Sequence, residues 1–217
     1  MEYLLQNISI VSNLPYFQIE TYYNEISNNE ELMKQISEKI ENSEYRFFKD
    51  KKIELGNRFI HYCLVRANKP KVVVESGIEI GYTSVLLCEA LLKNIEEGCS
   101  GKYYGLDIDP KAGYLIKDKR YIAISEIIIG DSLKSLCGFN ANIDYYFSDG
   151  ERTYEYEKVE FELLKTKISS TGIIVSNKLN ISNCTSTFAR EMNRKHLYFR
   201  EEPFQHWYPG THFGIIF

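Results

Sequence analysis

The stretch that most restricts what this chain can fold into is Lys71 to Leu92, KVVVESGIEIGYTSVLLCEALL. The β-branched run Val72 to Val74 suits a buried strand, and the apolar spacing that begins after Gly81 suits a helix. Between them stand an acid, Glu75, then Ser76, and two glycines, Gly77 and Gly81, which supply the backbone conformations of a tight turn. A strand that turns directly into a helix is the start of a parallel strand–helix–strand unit, so this stretch predicts an α/β domain. It also predicts a ligand crevice. Backbone can approach a ligand closely at glycine, and the free N–H groups of the helix start favour polar or anionic groups.

The same pattern recurs downstream. Lys102 to Asp107 reads as a second strand, Ile122 to Ile129 as a third, Ile143 to Ser148 as a fourth and Ile173 to Asn177 as a fifth. Their carboxyl ends carry polar groups, which is where an open α/β sheet binds its ligands. An acid ending the second strand can accept hydrogen bonds from both hydroxyls of a ribose, which suits Asp107. Asp109, directly before Pro110, suits the cap of a following helix. Asp131 has two readings: acceptor for an exocyclic amine, with the Ser132 N–H beside it, or cap of the next helix. Leu197 to Phe199 and His212 to Phe217 read as a terminal pair that adds an antiparallel edge.

Upstream the spacing is helical. Leu32, Ile36 and Ile40 form a one-sided apolar stripe behind Asn28 and Asn29, and Lys52 to Asn68 carries another that Pro70 stops. Residues 1–69 are therefore expected to be a helical extension packed on the core, and residues 70–217 the ligand-binding domain. Tyr16, Phe17, Tyr22 and Tyr23 cluster where the extension could serve as a lid, and its helices are also the candidate contact of a homodimer.

Composition narrows the partners. Across 217 residues the net charge is only −4 and no lysine or arginine block occurs, which argues against nucleic acid. No early run has the apolar length and flanks of a signal peptide, and nothing approaches a membrane span, so a cytoplasmic location away from membranes is expected. The five cysteines are scattered without a C-x-x-C pair and are expected to be reduced. The 17 tyrosines and 12 phenylalanines favour a small or amphipathic substrate.

From Lys71 onward the motifs resemble those of class I S-adenosylmethionine (SAM) dependent methyltransferases, in particular the small-molecule O-methyltransferases of the catechol and macrocin type. The resemblance implies a Rossmann-like, mostly parallel seven-stranded sheet with an antiparallel C-terminal edge and helices on both faces. It implies SAM held by Glu75, Ser76, Gly77, Gly81, Asp107, Asp131 and Ser132, with Glu75 at the methionine end. In that group a strand-four motif Asp-Gly-Asp-His-x-Tyr and a strand-five Asp-Asp or Asp-Asn pair hold a divalent metal against two substrate oxygens. Asp149, Gly150, Tyr154 and Asn177 match; Arg152 stands in place of the His, and Ser176 in place of the first Asp of the pair.

Those departures change the expected chemistry. A cation there would have Asp149, Asn177 and water as ligands beside a guanidinium, a poor site for a hard divalent metal. The expectation is methyl transfer to a hydroxyl of a sugar or natural-product scaffold without a metal, with Asp149 taking the proton and His206 a second candidate base. Arg152, Asn177, Trp207 and Tyr208, with Tyr16 and Phe17, are the candidate substrate contacts. Two rivals share the fold. An NAD-dependent oxidoreductase would carry G-x-G-x-x-G, whereas here the turn is Glu75-x-Gly77-x-x-x-Gly81. A non-catalytic SAM-binding or scaffold protein would keep the crevice and lose the reaction, which Arg152 and Ser176 would fit.

Overall fold

A computed structural model describes residues 1–48, 55–151, 153–177, 183–200 and 212–217. The strands are β1 (Val72–Ser76), β2 (Lys102–Asp107), β3 (Ser125–Ile129), β4 (Ile143–Ser148), β5 (Ile168–Ser176), β6 (His196–Arg200) and β7 (His212–Ile216). They form one seven-stranded sheet in the order β3-β2-β1-β4-β5-β7-β6. The pairs among β1 to β5 are parallel, and β7 runs antiparallel to both β5 and β6. The expected fold class is therefore present, down to its antiparallel edge. The chain reverses its direction of travel across the sheet between β1 and β4, and the crevice of such a sheet opens at that switch point.

Alternation along the strands sorts side chains to two faces. Val73, Tyr103, Tyr145, Phe147, Ile173, Val175 and Ile215 pack on one face with the helices α1 (Glu2–Ser12), α2 (Tyr16–Ser27), α3 (Glu30–Glu41), α4 (Phe59–Asn68) and α5 (Tyr82–Glu96). Val74, Leu106, Tyr146, Ile174 and Ile216 pack on the other with α7 (Ser132–Gly138), α8 (Tyr154–Leu164) and α9 (Cys184–Glu191). The N-terminal helices thus share the core of the first face. Leu32, Ile36 and Ile40 of α3 are all buried there, and the Asn29 side chain caps α3 by accepting from Leu32 N. A buried guanidinium ties the layer together: Arg66 of α4 donates to Glu25 of α2 at 2.8 Å and to Glu97, just past α5, at 2.6 Å.

Two local expectations are corrected. The apolar run from Ile122 does not begin as a strand, because Lys119–Ile122 is a short helix, α6, whose Tyr121 is buried with its hydroxyl on Glu89 at 2.5 Å, leaving Ile122 59% exposed. A short apolar run has no period by which strand and helix can be told apart. Nor does Asp109-Pro110 start a helix. Asp109 Oδ1 accepts from Lys111 N at 2.8 Å in a local turn, and Gly113, at φ +71°, donates from its N to Glu79 O at 2.7 Å. This segment is spent on bracing the turn after β1. No helix among the described residues is long and apolar enough to cross a membrane.

Candidate functional site

The turn after β1 is the centre of the site, and its geometry explains its glycines. Gly77 has φ +81°, and a Cβ placed on it would lie 2.6 Å from both Cα and N of Gly150. The backbones after β1 and β4 are therefore in contact, pinned by Asp149 N donating to Ser76 O at 2.8 Å, while Gly77 N donates to Leu106 O of β2, also at 2.8 Å. Only glycine fits at position 77. Gly81, at φ +94°, is the residue from which α5 starts, and it has no side chain to cap the helix.

Above this contact lies a cavity of about 300 Å³ lined by Arg58, Glu75, Gly77, Ile78, Glu79, Tyr82, Thr83, Asp107, Asp149 and Gly150. The carboxyl ends of β1, β2 and β4 each give it an acid: Glu75 directly, Asp107 as the last residue of β2, and Asp149 just after β4. Glu75 is almost wholly buried, on the face toward α5, where its Oε2 accepts from Ser84 Oγ at 2.6 Å and from Tyr103 OH at 2.5 Å. Burial pushes its carboxyl up to about 8 against the pull of those two hydrogen bonds, and Asp149 and Asp107 add to the rise. Burial also raises the Tyr103 hydroxyl well above its usual range, so it stays a donor. The carboxyl of Glu75 is thus poised to ionise when a positive charge arrives.

Asp107 does more than the sequence implies. Its Oδ2 accepts from the N–H groups of Ile78 and Glu79 at 2.8 and 2.9 Å, and its Oδ1 from Asp109 N at 2.9 Å. The carboxylate that faces the cavity therefore also holds the turn in shape. Asp149 accepts from the Asn177 side-chain amide, so the strand-four and strand-five ends are linked to each other.

Other expected site residues lie elsewhere. Ser76 is fully buried on the face opposite Glu75, as alternation requires, and does not line the cavity. Asp131 caps α7 by accepting from Lys134 N at 3.1 Å, and the Ser132 hydroxyl pairs with Tyr156 OH at 2.5 Å; neither lines the cavity. Asp131 thus makes the cap that one of its two readings expects. Tyr16 packs against the helical core and Phe17 is 65% exposed on α2, both away from the lining. Arg152, His206, Trp207 and Tyr208 lie outside the described residues. His61, buried with its Nδ1 2.7 Å from Tyr145 OH, is pushed down to about 3, by burial first and then by Arg58, and so stays neutral.

A metal does not suit the residues that are described. Ser176, where the resemblance would have a carboxylate, is buried with its hydroxyl donating to Glu157 Oε1 of α8 at 3.0 Å. The amide nitrogen of Asn177, not its oxygen, is turned to Asp149. Among the described residues no group of three or more His, Cys, Asp or Glu is arranged to hold an ion.

Sequence reading missed Arg58, Glu79, Tyr82 and Thr83. Tyr82 and Thr83 were within reach, as the first residues of a helix that follows the glycine turn. Arg58 was not, because it comes from a 3₁₀ turn (Gly56–Arg58) of the N-terminal layer that only the tertiary fold brings to the sheet.

Residues 74–177 match a family model described as a methyltransferase domain. No curated protein sequence matches the chain. Similar solved structures include an O-methyltransferase of Klebsiella pneumoniae described as putative, at 12% identity and TM-score 0.63, over 86% of this chain and 89% of that one. A Bacillus cereus O-methyltransferase in complex with SAH aligns at 14% identity and TM-score 0.60, over 91% and 99%. A Streptomyces achromogenes O-methyltransferase involved in tomaymycin synthesis, in complex with SAM, aligns at 13% identity and TM-score 0.60, over 90% and 93%. Together the sheet order, the glycine turn and these likenesses identify a class I SAM-dependent methyltransferase fold, within which residues 74–177 match a methyltransferase domain.

Proposed function

We propose that this chain transfers a methyl group from SAM to a hydroxyl of a small molecule such as a sugar or natural-product scaffold. The observation that carries the reading is the cavity at the carboxyl ends of β1, β2 and β4, which takes an acid from each and has the touching Gly77 and Gly150 backbones in its lining. Bound there, SAM supplies an activated methyl carbon. Glu75 would face the cationic methionyl end, and Asp107, which holds the turn, would accept from the ribose hydroxyls. An acceptor hydroxyl near Asp149 would be the nucleophile toward that methyl carbon, with S-adenosylhomocysteine leaving, and the Asp149 carboxylate, which Asn177 orients, would take the hydroxyl proton. The acidic lining, the low net charge and the absence of a basic block favour a small neutral or cationic acceptor in the cytoplasm over nucleic acid. Pairing of two copies through α1 and α2, where Ile10 and Phe17 stay exposed, belongs to the same reading.

The order β3-β2-β1-β4-β5-β7-β6, with β7 inserted antiparallel beside β5, differs from the 3-2-1-4-5-6 order of a dinucleotide-binding oxidoreductase. A second reading, SAM binding without catalysis, draws on one observation, the Ser176 hydroxyl committed to Glu157. Assay of the full chain with methyl-labelled SAM over a panel of hydroxylated sugars and natural-product scaffolds separates the two. We expect transfer that survives EDTA and falls about a hundredfold or more in Asp149→Asn. Loss of activity with EDTA and its return with Mg²⁺ would contradict the metal-free reading, and the absence of any turnover across the panel with SAM bound would favour the non-catalytic one.

A further inference from the structure

The charges around the cavity are lopsided in an informative way. Glu75, Glu79, Asp107 and Asp149 line it, and Arg58 is the one basic side chain among the described residues that do so. Four acids in one cleft would ordinarily capture the nearest cation. Yet Arg58 makes no ion pair and no side-chain hydrogen bond among the described residues; its guanidinium lies over the ring of Tyr82, 5.3 Å from the centroid. Tyr82 is the first residue of α5, a helix of 15 residues whose start has no side-chain cap. Stacking on an aromatic face holds a guanidinium in place and leaves its N–H edge for another partner. Arg58 and the first-turn N–H groups of α5 are thus presented to the same end of the cavity, and Thr83 lines it beside them.

We infer that Arg58 is the residue that selects the carboxylate of the cofactor's amino-acid end. The inference rests on the SAM reading above and adds to it a specific division of charge. The methionyl group is a zwitterion. Its ammonium is matched by Glu75 and the neighbouring acids, whereas its carboxylate would be repelled by every other charged group of the lining. The Arg58 fork, beside the start of α5, gives that carboxylate charge-assisted donors, and the Tyr82 ring fixes the fork so that less side-chain entropy is lost on binding. Arg58 reaches the site from the N-terminal layer, so that layer completes the cofactor site as well as covering the sheet.

The test uses two ligands that differ by the carboxylate alone: S-adenosylhomocysteine, and its decarboxylated analogue S-adenosyl-3-thiopropylamine. Calorimetric titration of the wild-type chain should favour S-adenosylhomocysteine by about tenfold or more, as loss of a charged hydrogen-bond partner implies. Arg58→Met should erase that preference by weakening S-adenosylhomocysteine alone, with the analogue bound within about threefold of wild type, which also reports an intact fold. Arg58→Lys, which keeps the charge without the planar fork, should restore part of the preference. Equal affinity of wild type for the two ligands, or an equal loss of both in Arg58→Met and Arg58→Lys, would overturn the assignment to Arg58. Failure of the wild-type chain to bind either ligand would instead overturn the SAM reading on which it rests.

Discussion

Gly77→Ala is expected to abolish measurable cofactor binding and to lower stability by about 2–4 kcal/mol. Two costs add. An alanine at φ +81° sits in the left-handed region, which disfavours an L side chain by about 1–2 kcal/mol. Its Cβ would then stand 2.6 Å from backbone atoms of Gly150, and backbone cannot rotate aside as a side chain does. Relief of the clash must move the turn after β1 away from the turn after β4, which misplaces the N–H groups of Ile78 and Glu79 that Asp107 accepts from. Gly98→Ala is the control, since Gly98 has φ +87° but nothing within 4 Å of a new Cβ. Urea unfolding with titration of S-adenosylhomocysteine on both variants checks the expectation. If Gly77→Ala matches Gly98→Ala in both measurements, the contact between the two turns is not what builds the site.

Glu75→Gln is expected to stabilise the ligand-free protein and to impair the bound one. In the folded chain the Glu75 carboxyl lies near 8 because it is buried, against an ordinary value of 4.5. The folded state therefore holds this proton more tightly than the unfolded state does. The stability associated with the protonated group is fully present below about pH 4.5 and is lost as pH rises to about 8. Glutamine does not titrate, so its advantage should be small at pH 5 and grow to about 1–3 kcal/mol at pH 8, roughly 3–10 °C in Tm for a domain of this length. The effect on SAM should be the reverse. A cationic ligand favours the ionised carboxylate, so wild-type affinity should rise between about pH 6 and 8 as the proton is displaced, by at most about tenfold per pH unit. The ligand's own amino group titrates near 7.7–8.0 in the opposite sense, and comparison with Glu75→Gln at each pH removes that contribution. Affinity that follows pH equally in both proteins would show that Glu75 does not sense the ligand's charge.

How far the sequence foretold this follows from the range of each interaction. The strand ends were legible because alternation and glycine turns are local, and Glu75, Gly77, Asp107 and Asp149 all face the cavity as expected. Asp131 is a different case. An acid before a helix satisfies its cap with a neighbour three residues on, so the local pattern is complete without any ligand. Ser176 shows what a pattern cannot carry: its partner Glu157 lies on α8, across the face of the sheet. A carboxylate at position 176 would lie against that buried acid, which gives the departure from the metal-binding pattern a structural reason. Arg58 was invisible for the same cause, being brought to the site by the packing of α4 against α5. The Ile122 run failed for want of length, since four residues of helix carry too few turns to show a period.

The central claim is that SAM occupies the cavity at the ends of β1, β2 and β4, with Asp107 on its ribose. Isothermal titration of the wild-type chain and of Asp107→Ala with SAM tests it most directly. The account predicts one site per chain in wild type and a loss of about tenfold or more in Asp107→Ala, because the carboxylate that would accept from the ribose also fixes the turn through Ile78 and Glu79. Wild-type protein that takes up no SAM, or Asp107→Ala that binds it undiminished, would contradict it.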